Sequence, residues 1–168
     1  MHQVFDSKVR PGSKAQAAIV VMSPNGAVRA MLGGRNTSVA GGFNRATQAL
    51  RQTGSAFKPF VYAAALEAGY SPYDILQDSP LTLDLPGSGP WSPQNYSKEF
   101  LGPVSLNTAL SQSLNIPTIR LSEEVGRDVV RNVASGFGVG EKLATGPALA
   151  LGVSEATLID MVGAYAGI

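Results

Sequence analysis

At 168 residues, with 44% hydrophobic and 15% charged residues, the chain can bury one core and suits a single domain or a large part of one. Its net charge is +1 and its thirteen basic residues are scattered, which speaks against a nucleic-acid face or a polybasic membrane patch. Without cysteine there are no disulfides and no thiol ligands, and no apolar run is long enough to span a bilayer.

Residues 1–15 read as an amino-terminal segment or linker, and the domain proper as 16–168. The early run Ala15 to Met22 is too short for a signal peptide and lacks its cleavage pattern. The single histidine is His2, so a zinc site would need three carboxylate ligands. A serine-histidine-aspartate triad would require the amino terminus to fold into the site. Gln16 to Met22 and Ala27 to Leu32 flank Ser23, Pro24, Asn25 and Gly26, the pattern of a β-hairpin. Gly33 to Gly42 is a glycine-rich connector, and no lysine-serine or lysine-threonine follows that would make it a phosphate loop.

The apolar spacing predicts a helix over about Ser55 to Ala68. Pro59, so near its start, requires an irregular first turn or the loss of its first hydrogen bond. Pro80 to Trp91, rich in proline, reads as an ordered loop with short extended pieces. Further helices are predicted over Val104 to Ser113, Thr118 to Val125, Asp128 to Ser135 and Glu155 to Ala166, the last capped by Ser154. The break before Thr118 follows from Pro117, which disfavours helical geometry at Ile116. Lys142 to Gly146 reads as a surface loop. There are no internal repeats.

Two constellations carry chemistry. Ser55 and Lys58 lie three apart at the opening turn of a helix, so the amine can lie against the hydroxyl and take its proton. The same spacing also suits a capping serine with a solvated lysine, but Phe57 and Phe60 bracket the pair and bring Lys58 towards packed surface. With no second histidine, lysine is the remaining base for this serine. The backbone donors of the helix start favour a developing oxyanion. The second constellation is Ser113, Leu114 and Asn115 at a helix junction, where a hydroxyl could pass a proton and an amide could bind a peptide carbonyl.

Serine-x-x-lysine followed by serine-x-asparagine resembles the active-site order of the penicillin-recognising serine acyltransferases. The likeness is to the transpeptidase domain of the class A (bifunctional) penicillin-binding proteins, and it extends over nearly all of residues 16–168. Phe43 to Ala46, Gln52 and Thr53, Gly54 to Pro59, then Trp91, Pro93, Asn95 and Tyr96, and Gly102, Val104 and Leu106 all resemble that family. So do Ala148 to Gly152, Glu155 to Leu158 and Ala164 to Ala166. The family's third motif, lysine-threonine-glycine or lysine-serine-glycine, is not met before Ile168, and Lys142 to Gly146 has the wrong spacing and position.

The resemblance implies an α+β, β-lactamase/transpeptidase-like fold in partial form: a β-hairpin and the helical subdomain without the carboxy-terminal sheet strands. It implies a peptidoglycan D,D-transpeptidase that attacks D-Ala-D-Ala stem peptides through Ser55. In it Lys58 is the base, Ser113 the proton shuttle, and Asn115 holds the substrate amide or assists Lys58. β-Lactam antibiotics would acylate Ser55, no cofactor is needed, and the site would be extracytoplasmic. Class A relatives carry a glycosyltransferase domain upstream, for which Met1 to Ala15 is too short, and the parent would be membrane-anchored through a further segment. The chain is therefore expected to be a truncated domain of impaired activity, with no membrane contact of its own. A two-stranded hairpin is marginal alone, so self-association through its exposed strand edges is also expected. Two alternatives share the motifs: a serine β-lactamase, for which Glu67, Glu123, Glu124, Glu141 and Glu155 offer no marked deacylating base, and a non-catalytic fragment of the same fold.

Overall fold

The computed structural model describes residues 7–10, 12–35, 41–140 and 142–168. His2, Glu141 and the middle of the glycine-rich connector lie outside them. In chain order the elements are β1 (Ile19–Met22), β2 (Val28–Leu32), α1 (Arg45–Gln48), β3 (Arg51–Gln52), a 3-10 turn (Gly54–Phe57) and α2 (Lys58–Glu67). Next come β4 (Ile75–Asp78), β5 (Leu83–Leu85), β6 (Gly89–Trp91), β7 (Gly102–Ser105), α3 (Leu106–Ser111), α4 (Asn115–Val125) and α5 (Arg127–Gly136). A second 3-10 turn (Pro147–Leu151), β8 (Glu155–Ala156) and α6 (Leu158–Gly167) complete the order. The chain forms two compact units, one running to Arg51 and resuming at Ala156, the other Gln52–Glu155.

In the first unit β1 and β2 pair antiparallel, Ile19 opposite Leu32 and Val20 opposite Met31. The turn closes where the Ser23 N–H donates to the Ala27 carbonyl (3.0 Å) and the Gly26 N–H to the Ser23 carbonyl (2.9 Å). Gly26 sits at φ 80°, a conformation that favours glycine. The expected hairpin is present with a shorter first strand. Helix α6 packs on β1, yet Ile19, Val21, Val28 and Met31 remain 43–49% exposed.

The second unit is built around α2. Phe60, Val61, Ala64 and Ala65 are fully buried, against Ile116, Ile119 and Leu121 of α4 and Val130 and Ala134 of α5. Burying each large apolar side chain is worth about 1.5–3 kcal/mol, a reserve that offsets the cost of keeping a lysine in the same core. The Phe57 and Phe60 rings lie 5.6 Å apart and Phe60 lies 5.8 Å from Phe137, the spacing of tilted aromatic pairs. Strands β4 and β7 pair antiparallel, Ile75 opposite Ser105 and Asp78 opposite Gly102. The proline-rich stretch holds a short hairpin, with Leu83 opposite Trp91.

Three sequence expectations change. The stretch expected as a helix from Val104 is strand as far as Ser105, because it is drawn into pairing with β4. The helix starts at Leu106, where the Ser105 hydroxyl accepts from the Thr108 N–H (3.1 Å). Helix α4 begins at Asn115 rather than near Thr118. Pro117 then falls in the first turn, where an N–H has no partner within the helix, so the proline removes no bond. The last helix starts at Leu158 and is capped by Thr157, which accepts from the Asp160 N–H (3.2 Å). Ser154 instead accepts from the Ala144 N–H (2.8 Å), and Glu155 and Ala156 are extended.

Candidate active site

Ser55 stands in the 3-10 turn that leads into α2, with its side chain exposed. That turn is tied down by a segment far along the chain. The Gly54 N–H donates to the Gly152 carbonyl (2.9 Å), the Thr53 N–H to the Ser154 carbonyl (3.2 Å), and the Thr53 hydroxyl to the Gly152 carbonyl (3.3 Å). The approach is so close that a Cβ on Gly152 would stand 2.1 Å from the Gly54 oxygen and 2.6 Å from its nitrogen. Gly152 also has φ 70°, so two independent requirements select glycine there.

Lys58 is 1% exposed. The first-turn spacing predicts a direct contact with the Ser55 hydroxyl, but no hydrogen bond joins the two. The amine turns to the junction between α3 and α4, where it donates to the Ser113 carbonyl (2.6 Å), the Asn115 Oδ1 (2.8 Å) and the Leu114 carbonyl (3.2 Å). The Ser113 Oγ lies 3.1 Å away. A buried ammonium has three N–H groups to satisfy, and one exposed hydroxyl cannot do that while a ring of carbonyls can. Burial lowers the Lys58 pKa from 10.5 to about 8.

Ser113 occupies a left-handed conformation at φ 54°, which costs a non-glycine residue energy and bends the chain so that its carbonyl and hydroxyl face one amine. The Leu114 carbonyl accepts a second bond from the Thr118 hydroxyl (2.7 Å), which is 3.1 Å from the Tyr62 hydroxyl. Burial raises the Tyr62 pKa to about 12, so this ring of partners stays protonated when Lys58 titrates. Asn115 has both ends of its amide engaged: Nδ2 donates to the Gln94 carbonyl (2.8 Å) and Oδ1 accepts from Lys58. The structure therefore gathers Lys58, Ser113 and Asn115 directly, with Ser55 one turn before Lys58 at the surface.

Two residues that the sequence did not mark as site residues adjoin this cluster. Asn95, 3% exposed, accepts at Oδ1 from the Asn115 N–H (2.8 Å) and the Ile116 N–H (3.2 Å). Its Nδ2 donates to both oxygens of the fully buried Asp78 (2.8 and 3.0 Å). The only signal in the sequence was the run Trp91, Pro93, Asn95, Tyr96.

Glu67, Glu123, Glu124 and Glu155 make none of the bonds of this cluster. Glu123 pairs with Arg127 (2.5 and 2.6 Å), Glu124 accepts from the Tyr70 hydroxyl (3.3 Å), and Glu67 and Glu155 are exposed. Among the described residues no three His, Cys, Asp or Glu side chains group as metal ligands, and no helix is long and apolar enough to cross a membrane.

The family model for the penicillin-binding protein transpeptidase domain matches residues 17–165. The chain belongs to the penicillin-binding transpeptidase family. It is 41% identical over 155 residues to penicillin-binding protein 1A of Rickettsia felis, covering 91% of this chain and 20% of that protein. It is 42% identical over 154 residues to penicillin-binding protein 1A of Haemophilus influenzae, covering 90% and 18%. This transpeptidase-family chain thus spans about a fifth of the length of the curated relatives it matches.

Among solved structures, the Haemophilus influenzae penicillin-binding protein 1A superposes with a TM-score of 0.85 at 41% identity, over 90% of this chain and 23% of that one. The PonA1 protein of Mycobacterium tuberculosis in complex with penicillin V gives 0.81 at 32%, over 98% and 46%. The α+β architecture is that of the β-lactamase/transpeptidase fold, here with its helices and short sheets.

Proposed function

We propose that this chain carries the acylation machinery of a peptidoglycan D,D-transpeptidase, with Ser55 as nucleophile and Lys58 as base. The supporting observation is the Lys58 amine: buried, brought to a pKa of about 8, and one turn from an exposed serine. A base is most effective when its pKa lies near the working pH. The Ser55 oxygen bonds to the carbonyl carbon between two terminal D-alanines, and its proton passes to the Lys58 nitrogen. The Ser55 N–H, in the first turn of its helix and without a partner within it, is the backbone donor for the oxyanion. The C–N bond then breaks, the proton goes to the departing D-alanine amine, and an ester on Ser55 remains. An amine from a second stem peptide displaces Ser55 and forms the cross-link.

The proton route through Ser113 follows from its chemistry. A neutral amine offers two N–H groups and one lone pair. Of the four oxygens around Lys58, three belong to carbonyl or amide groups and only accept, while the Ser113 hydroxyl can donate to the lone pair. Ser113 is thus the one contact that can hand a proton in and out, and Asn115 orients the amine. The reading implies stem peptides as substrates, β-lactams as covalent inhibitors and an extracytoplasmic setting.

The test is intact mass after incubation with a penicillin, followed by peptide mapping. A one-to-one adduct on Ser55, lost in Ser55→Ala, is expected. Absence of labelling both in this chain and in the chain joined to a segment bearing the lysine-threonine-glycine motif would overturn the proposal.

A further inference from the structure

Helix α4 has no local side-chain cap: its N-cap residue is Leu114. Its first two N–H groups, those of Asn115 and Ile116, are instead satisfied from twenty residues upstream by the Asn95 Oδ1. An amide side chain can present either end, so something must decide which end faces the helix. Asp78 decides it. A carboxylate only accepts, and its two oxygens take Asn95 Nδ2 at 2.8 and 3.0 Å, while the Leu101 N–H donates to it at 2.9 Å. The Glu99 carbonyl takes Nδ2 as well, at 2.9 Å. With its nitrogen committed, Asn95 must turn its oxygen to the start of α4.

The same logic acts one step further on. The Gln94 carbonyl accepts from Asn115 Nδ2, which commits Asn115 Oδ1 to Lys58. Adjacent residues of one loop thus hold Asn115 by its backbone and by its side chain. The chain of bonds runs Asp78, Asn95, Asn115, Lys58, and three of its four members are no more than 3% exposed.

We propose that Asp78 and Asn95 are positioning residues for Lys58: the carboxylate locks the Asn95 amide, which fixes the start of α4 and keeps the oxygens of Ser113, Leu114 and Asn115 closed around the amine. Burying a carboxylate is costly unless its bonds are complete, and here the carboxylate serves a site it never touches. The inference rests on Lys58 being the base of the acyl transfer, but its consequence for the amine can be measured without any acylation.

The experiment follows the Lys58 side-chain resonance of lysine-labelled protein as pH is raised, in the native chain, in Asp78→Asn and in Asn95→Ala. Loosening the junction admits water to the amine, so its titration midpoint climbs at least tenfold in proton affinity, towards 10.5, in both variants. Loss of the Asp78 charge alone would move a lysine midpoint down, so an upward move separates lost positioning from lost charge. Asp78→Asn keeps shape and volume and decides the matter if Asn95→Ala does not fold. Folded variants that keep the native midpoint, or lower it, overturn the proposal. A raised midpoint in variants of a chain that penicillin never labels would leave the positioning role standing and remove the transpeptidase reading. Where labelling occurs, every tenfold gain in the proton affinity of the amine lowers the acylation rate at pH 7 about tenfold.

Discussion

Acylation should follow the titration of Lys58. With a pKa of about 8, the amine is neutral in about a tenth of molecules at pH 7, about half at pH 8 and about nine-tenths at pH 9. Only the neutral form accepts the Ser55 proton. The second-order rate of acylation, followed with a fluorescent penicillin under excess reagent, should therefore rise about tenfold between pH 7 and 9 and then level. No ion pair reaches the amine among the described residues, and its partners are neutral oxygens, so a single ionisation should describe the curve. Tyr62, raised to about 12, stays outside the window. A rate flat from pH 6 to 9 would refute the role of Lys58. A rate still climbing tenfold for each step of one in pH at pH 10 would refute the effect of burial.

The same burial makes stability depend on pH. The folded Lys58 pKa lies below the unfolded 10.5, so the unfolded chain binds more protons between the two, and stability rises by about 2–3 kcal/mol from pH 8 to 10. Urea denaturation should show the rise in the native chain and not in Lys58→Met; equal slopes would refute it. Gly152→Ala drives a Cβ into Gly54 in a left-handed conformation, and should cost about 2–4 kcal/mol and slow penicillin labelling of Ser55. Unchanged stability in urea would count against the close approach. The half-exposed apolar residues of the β1–β2 hairpin should promote concentration-dependent association, which sedimentation at rising concentration detects and a constant monomer mass refutes.

Much of the site could be read from residue spacing because its parts are local. Ser55 and Lys58 sit one turn apart, and Ser113 and Asn115 are two residues apart at a helix junction, which lies before Asn115 rather than at Ile116 where Pro117 points. What joins the two groups is not local. The amine of Lys58 goes to carbonyls some 55 residues away, since a buried cation seeks enough acceptors, and the spacing to Ser55 carries no trace of that choice. Asp78 and Asn95 were harder still. Their bond depends on β4 pairing with β7 and on a loop between, and neither residue is unusual in its own segment. The sequence points to Ser154 as the cap of the last helix, and only the bond it accepts from the Ala144 N–H shows why the helix waits for Thr157.

The division of the chain also orders its birth on the ribosome. Gln52–Glu155 is one uninterrupted stretch, and every residue of the Lys58 cluster lies within it. The hairpin, made before that stretch, must instead wait for α6, translated after it, before β1 gains its covering helix. At a synthesis rate of about 5–20 residues per second the Lys58 cluster can assemble while the earlier strands are still bare. Chaperones that guard nascent chains would then find their substrate in the hairpin and leave Gln52–Glu155 alone.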